Sequence, residues 1–340
     1  MKNSISKLLI LFCTIGAVSQ THYVSKKIST TGNEGWDYLA VDEINQHLFV
    51  SHGNSVNVID LKDDKTISII PNTNGVHGIA IANDLNKAFI TDGKDNAVTI
   101  INLKTFDLIE KVVIQGQKPD AIMYDLFSHK VFTFNAKSKD ATVLDATTNK
   151  VIKNIPLGGS PEFPASNLKG LIYINIEDTN EIKTIDATLL EVVNTWSISP
   201  GEEPSGLVLD KESNRLFSVC SNKLMMILDA TTGKIIDKLP IGGGCDGVAF
   251  DPEKKLIYSS NGDGTITVVK EENANSFSVI ETIPTQKGAR TIAIDKTTHK
   301  LYLSSAAYGP KPEPTAENPK PRASIIPNSF VVLVIDTKLK

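Results

Sequence analysis

The sequence predicts an all-β fold built from seven copies of one short unit. The first observation is the two-residue alternation of apolar and polar side chains in short runs, which is typical of strands and not of helices. The second is that a unit holds four such runs, and the third is that the units recur at nearly constant spacing. A period near forty residues with four strands per unit is typical of a propeller blade, so we predict a seven-bladed β-propeller.

The spacing is measured between equivalent positions at the start of the first strand in each unit. These positions are Asp37, His77, Asp120, Glu162, Ser205, Asp246 and Arg290. Consecutive members are 40, 43, 42, 43, 41 and 44 residues apart. Because coupled repeats bury one continuous core, we predict that residues 20–340 form a single domain.

Each strand of the unit has its own pattern. The first strand alternates large and small apolar residues, as in 39–42, and the fourth reads like residues 234–239. The second strand carries an aromatic residue that we expect to fill the wide wedge between blades: Phe49, Phe89, Phe132, Tyr173, Phe217, Tyr258 and Tyr302. The third strand ends on an acid or an amide, namely Asp60, Asn102, Asp145, Asp186, Asp229 and Asp336.

The two ends of the chain predict how the ring closes. Residues 22–30 form a strand-like segment ahead of the first unit, and the last unit stops after its third strand. We therefore predict that the N-terminal strand completes blade seven, which removes an open sheet edge.

Prolines mark two departures from the repeat. Pro164 lies where the inner strand of blade four should donate a hydrogen bond, so this strand should be short or distorted. Blade seven carries an insertion at residues 306–329 that holds six of the 16 prolines. We expect this insertion to be an extended loop without strands.

Composition and the N-terminus bear on location and partners. The formal charge of −4 argues against a nucleic-acid backbone as the main partner. Lys2 and Lys7 precede an apolar run at residues 8–18, which predicts a secretory signal peptide over residues 1–19. This run is too short to span a bilayer. We therefore expect a periplasmic or secreted protein, monomeric and without a transmembrane segment.

Two cysteines remain after the predicted signal peptide. Cys220 ends the second strand of blade five and Cys245 enters blade six, so both fall on the same face of neighbouring blades. Three states fit this placement: two buried thiols, a disulfide, or a site for a soft metal ion.

The repeat also resembles a known family. The segments Ile-Tyr-Ser-Ser-Asn at 257–261 and Ala-Phe-Ile-Thr-Asp at 88–92, and the run Asn-Gly-Asp-Gly-Thr-Ile-Thr-Val at 261–268, resemble the YVTN-type (YncE-like) seven-bladed β-propeller repeat family. The resemblance covers residues 22–340 and implies a secreted or periplasmic propeller. Its motif residues are structural, so it implies no catalytic residue.

A propeller would bring two sets of equivalent residues to one end of its central channel, which we call the channel mouth. The first set holds the seven spacing positions given above. The second set ends the second strands: His52, Asp92, Asn135, Ile176, Cys220, Asn261 and Ser305. We expect neither set to be needed for packing, and we expect the Pro-rich insertion to leave from the same face.

These two sets supply the candidate binding site. The candidate ligand-binding residues are Trp36, Asp37, His52, His77, Asp92, Asp120, Glu162, Asp246 and Arg290. His52 and His77, together with Asp37 and Asp92, offer nitrogen and oxygen donors to a divalent metal ion, which is the candidate cofactor. The same residues also fit a ring of solvated polar side chains that binds nothing.

The favoured function is an exported binding or scaffold protein with a polar ring at its channel mouth. One alternative is a metal-assisted lactonase or lyase, with His52 or His77 as general base. Another is a protein- or peptide-binding face that uses the Pro-rich loop. The sequence contains no Gly-x-Ser-x-Gly, His-Glu-x-x-His or Cys-x-x-Cys-His motif and only two tryptophans, so the enzyme is the less favoured class.

Overall fold

The computed structural model describes residues 20–30, 35–315, 321 and 323–339. The predicted signal peptide therefore lies outside the described residues, as do positions 316–320 and 322 of the insertion. Within the described part, the strands form seven four-stranded antiparallel sheets, and each sheet is one blade. The prediction of a seven-bladed β-propeller is confirmed.

In blades one to three the strands follow the chain from the channel outward. Blade one holds β2 (Trp36–Asp42), β3 (His47–His52), β4 (Ser55–Asp60) and β5 (Lys65–Ile70). Blade two holds β6 (Val76–Ala82), β7 (Lys87–Asp92), β8 (Ala97–Asn102) and β9 (Leu108–Val113). Blade three holds β10 (Pro119–Asp125), β11 (Lys130–Asn135), β12 (Asp140–Asp145) and β13 (Val151–Pro156). A 3-10 helix at Asn83–Leu85 joins β6 to β7.

Blades four to six repeat this order. Blade four holds β14 (Pro161–Ser166), β15 (Leu171–Ile176), β16 (Glu181–Asp186) and β17 (Glu191–Ser197). Blade five holds β18 (Pro204–Asp210), β19 (Arg215–Cys220), β20 (Leu224–Asp229) and β21 (Ile235–Pro240). Blade six holds β22 (Cys245–Asp251), β23 (Leu256–Asn261), β24 (Thr265–Asn273) and β25 (Ser276–Pro284). A second 3-10 helix lies at Glu177–Thr179.

Blade seven is built from both ends of the chain. It holds β26 (Ala293–Asp295), β27 (Lys300–Ser305), β28 (Val331–Leu339) and, as its outermost strand, β1 (Gln20–Ser29). β1 pairs with β28 in antiparallel register from Gln20 opposite Leu339 to Ser29 opposite Val331. The predicted ring closure by the N-terminal strand is confirmed.

The two proline departures are also found. β14 has six residues where the inner strands of its neighbours have seven. Among the described residues of the insertion there is no strand, and a single antiparallel bridge joins Tyr308 to Ile325.

Seven apolar clusters fill the spaces between neighbouring blades. One of them joins Phe134 of blade three to Ile172 of blade four. The aromatic residues of the second strands are at most 3% exposed, as their predicted wedge role requires. In the described part of the chain, no helix has the length and apolar character needed to cross a membrane.

Candidate functional site

The first set of equivalent residues meets at the channel mouth, and we call it the mouth ring. Ionic and hydrogen-bonding contacts join one blade to the next. Nδ1 of His77 lies 2.6 Å from Oδ2 of Asp37 and 3.5 Å from Oδ1 of Asp120. On the other side, Asp246 accepts a hydrogen bond from the Ser205 hydroxyl at 2.7 Å and forms an ion pair with the Arg290 guanidinium at 2.6 Å. The Arg290 guanidinium also lies 4.0 Å from the Asp37 carboxylate, so it links the group around His77 to the group around Asp246.

The backbone explains why these residues converge. In blades one to five the register between the first two strands shifts just after the ring position, for example between Val76 and Ile79. Glycines at the next position let neighbouring inner strands approach closely. A Cβ atom at Gly78 would lie 2.8 Å from the carbonyl oxygen of Asp120. A Cβ atom at Gly206 would lie 2.9 Å from the carbonyl oxygen of Asp246. Such a bulge re-aims side chains, and here it directs them toward the axis.

The neighbours of His77 favour its cationic form. Burial alone would lower its pKa, but the hydrogen bond with Asp37 and the charge of Asp120 outweigh burial and raise the pKa. Its Nε2 side faces backbone, since a Cβ atom at Gly93 would lie 3.0 Å from Nε2. Nδ1 is therefore the nitrogen that His77 presents to the ring.

Three carboxyl groups of the ring have pKa values above their ordinary range. Burial and the neighbouring acids Asp120 and Asp246 raise the pKa of Glu162 to about 9, so this group is protonated at neutral pH. Burial also raises the pKa of Asp120 and of Asp246, against the opposing charges of His77 and Arg290. Within the described residues, the Glu162 carboxyl has neither an ion pair nor a hydrogen bond with another side chain.

Three ring residues form a donor set for a metal ion. One ligand atom each from Asp37, His77 and Asp120 lies within 4.8 Å of the others. An imidazole nitrogen and two carboxylate oxygens suit borderline divalent cations such as Zn²⁺ or Mn²⁺. A cation at this point would take the place of the proton on Nδ1 of His77.

The floor of the mouth was not predicted from the sequence. Tyr38 of blade one crosses the axis and packs on Phe163 of blade four, with ring centroids 4.6 Å apart. Burial and the negative charge of Asp120, Glu162, Asp37 and Asp246 above it raise the pKa of Tyr38. The sequence does distinguish these two positions, because only blades one and four have an aromatic residue there. The equivalent residues of the other blades are smaller: Gly78, Ala121, Gly206, Gly247 and Thr291.

The Pro-rich insertion borders the mouth at blades seven and one. Trp36 packs against Tyr308 and Phe330, with ring centroids 6.1 Å and 5.4 Å away. A cavity of about 720 Å³ lies between Trp36, Arg290, Tyr308, Lys311 and neighbouring insertion residues. Trp36 thus forms part of a wall beside the ring.

The second set of equivalent residues does not belong to the mouth, and the expectation that it plays no part in packing is wrong. All its members are at most 3% exposed. His52 stacks on Phe330 at 4.2 Å, and Asp92 accepts hydrogen bonds from Thr99 at 2.6 Å and Lys111 at 3.0 Å. Burial raises the pKa of Asp92 to about 6.

The reason lies in strand alternation. Side chains two residues apart on a strand share a face. His52 therefore points the same way as Leu48 and Val50, which pack in the cluster between blades one and seven. Among the described residues, the donor set that the structure brings together contains His77, Asp37 and Asp120, and neither His52 nor Asp92 is part of it.

Both cysteines are free and buried. The Cys245 thiol donates a hydrogen bond to the backbone carbonyl of Cys220 at 3.0 Å. Burial raises the pKa of each thiol to about 12, so both are neutral at physiological pH. Of the three states that fit the sequence, the structure has the two buried thiols.

Comparison with known proteins agrees on the fold. The WD40 repeats of RRP9 match with a TM-score of 0.78 at 9% identity, covering 94% of this chain and 100% of that chain. U3-55K matches with a TM-score of 0.75 at 9% identity, covering 91% and 97% of the two chains. Hydrazine synthase of Kuenenia stuttgartiensis matches with a TM-score of 0.70 at 15% identity, covering 83% and 95%.

Sequence relatives are distant. Antigen Lp49 of Leptospira interrogans is 22% identical over 229 residues, 60% of this chain and 48% of that protein. The uncharacterized protein YwhL of Bacillus subtilis is 28% identical over 154 residues, 45% of this chain and 32% of that protein. The chain thus spans half or less of the length of these curated relatives. No family model matches.

Proposed function

We propose that this protein is an exported binding protein whose channel mouth holds one divalent metal ion. Asp37, His77 and Asp120 are the ligands, and Glu162 faces the ion from blade four. The observation that carries the proposal is the convergence of three donor atoms within 4.8 Å from three different blades. The YVTN-type family and the export from the cytoplasm remain part of the proposal, on the sequence features given above.

The charges of the ring support a cation at this point. Asp246 is compensated by Arg290, whereas no cationic side chain among the described residues pairs with Glu162, which keeps a proton instead. A divalent ion near Asp120 would displace the proton of His77 and favour ionisation of Glu162. Metal uptake should therefore release protons and weaken as the pH falls.

The lactonase or lyase alternative has less support. A general base must be free to accept a proton at the working pH. Burial lowers the pKa of His77, but Asp37 and Asp120 outweigh burial and raise it, so its imidazole holds the second proton more firmly than a free imidazole does. His52, the other candidate base, is only 3% exposed and stacks on Phe330.

The test is a calorimetric titration of the chelator-treated protein with Zn²⁺ and with Mn²⁺. We expect one site per chain, and we expect His77→Ala to weaken it by at least about 100-fold, because even the loss of an outer-sphere partner costs about 10- to 100-fold.

His299→Ala is the matched control. Nδ1 of His299 also bonds a carboxylate, Oδ2 of Asp251 at 2.7 Å, but at the opposite end of the inner strands and outside the three-ligand group. The metal affinity of the His299→Ala variant should equal that of the wild type. No uptake by the wild type, or equal loss in both variants, would exclude the mouth as the site.

A further inference from the structure

We propose that the channel below the mouth ring is a second binding site, which takes the tail of a single-chain anionic amphiphile such as a medium-chain fatty acid. The site is a cavity of about 560 Å³ lined by the inner strands of blades one, four, five, six and seven. We call it the lower bore. This volume lies within the range of about 300–1,000 Å³ that is usual for small-molecule sites.

The position of the bore follows from the strand register. Ring, floor and bore are successive levels on the same inner strands. Blade one contributes Asp37 to the ring, Tyr38 to the floor and residues 39–41 to the bore. Blade four contributes Glu162, Phe163 and residues 164–166 in the same order. The stacked Tyr38 and Phe163 therefore separate the bore from the acidic ring.

The wall of the bore is apolar. It includes the side chains of Leu39, Leu207, Leu209, Val248, Phe250 and Ile294. Two of its polar side chains have partners of their own: the Ser166 hydroxyl donates to Oδ1 of Asp125 at 2.7 Å, and Asp210 pairs with Lys255 at 2.9 Å. The apolar side chains of such a wall favour burial of a hydrocarbon chain.

The rim of the bore carries one lysine that no carboxylate of the described residues pairs with. Lys211 lies at the open end, is exposed, and has no side-chain hydrogen bond or ion pair within the described residues. Lys296 also lines this end, and its nearest carboxylate, that of Glu43, is 3.9 Å away. The acid at the rim, Glu212, is compensated by Lys255 at 2.6 Å. An anionic head group at this end would therefore meet positive charge, with its tail pointing toward Tyr38.

The test is a calorimetric titration with octanoate, decanoate and dodecanoate below their micelle concentrations. We expect one site per chain. Each added methylene should strengthen binding by about three- to fourfold until the tail reaches the floor, after which affinity should level off. Dodecyltrimethylammonium, with the same tail and a cationic head, should bind more weakly than dodecanoate.

Variants separate the bore from the rest of the surface. Lys211→Glu should weaken dodecanoate by roughly five- to tenfold, because it replaces an exposed attraction by a repulsion. Lys169→Glu is the matched control, an exposed lysine outside the bore lining, and should bind as the wild type does. Ile294→Asp should abolish binding in a protein whose circular dichroism is unchanged.

The proposal fails if dodecanoate does not saturate one site, or if Lys211→Glu and Lys169→Glu have the same effect. It also fails if the cationic amphiphile binds as tightly as dodecanoate. If Ile294→Asp does not fold, the comparison of Lys211→Glu with Lys169→Glu tests the proposal by itself. His77→Ala should leave dodecanoate affinity unchanged, so failure at the bore and failure at the metal site are distinguishable.

Discussion

At the level of single residues, Glu162 links the chemistry of the mouth to the stability of the protein. Its pKa rises from an ordinary value of 4.5 to about 9 in the fold, chiefly through burial and the charges of Asp120 and Asp246. The folded protein therefore holds a proton that the unfolded chain releases across this window. Stability contributed by this proton is present below pH 4.5 and is lost as the pH rises toward 9.

Replacement of Glu162 by glutamine tests this linkage. In the presence of a chelator, Glu162→Gln should be more stable than the wild type by up to about 5 kcal/mol at pH 8 and equal to it at pH 4, because the amide cannot ionise. Urea unfolding at pH 4, 6 and 8 measures the difference.

Glu191→Gln, at an exposed position of β17, is the control and should follow the wild type at each pH. A Glu162→Gln curve parallel to that of the wild type would mean that Glu162 is ionised in the fold. Zn²⁺ should reduce the advantage of the variant, since the ion stabilises the carboxylate.

At the level of elements, β1 holds the ring closed through more than its backbone ladder. The His22 imidazole lies 2.6 Å from Oε2 of Glu281 on β25 and 3.2 Å from the Tyr258 hydroxyl on β23. His22 is only 8% exposed. The strand that closes blade seven is thereby joined to blade six.

The contribution of this contact can be measured with His22→Ala. We expect a loss of about 1–3 kcal/mol in the free energy of unfolding, because the buried Tyr258 hydroxyl and the Glu281 carboxylate lose a partner. His129→Ala removes a histidine whose side chain is 59% exposed and should change stability by less than about 0.5 kcal/mol. Equal stabilities for the two variants would show that β1 is held by backbone pairing alone.

At the level of the whole molecule, the repeat spacing was enough to predict the blades, the ring closure and the meeting of residues from Asp37 to Arg290. The repeat could do this because equivalent positions in a closed ring lie at one height about the axis. The second set was wrongly predicted to lie at the channel mouth, because its residues lie where the second strands meet the following loops. Strand alternation, read from Leu48 and Val50, already placed His52 in the interblade core.

Other features could not be predicted from the repeat at all. The stacking of Tyr38 on Phe163 joins blades one and four, which are distant in the chain, and depends on how wide the channel is. The partners of each carboxyl group depend likewise on side-chain geometry across blades, as in the contact of Arg290 with Asp246. Repeat patterns identify equivalent positions, but they do not give distances across an axis.

The most direct test of the metal site is an anomalous-scattering map from crystals of the protein grown with Zn²⁺ or Mn²⁺. Our account predicts one strong peak per chain at the channel mouth, bonded to Nδ1 of His77 and to the carboxylates of Asp37 and Asp120. A map with no peak there, or with its strongest peak beside His299 and Asp251, would contradict it.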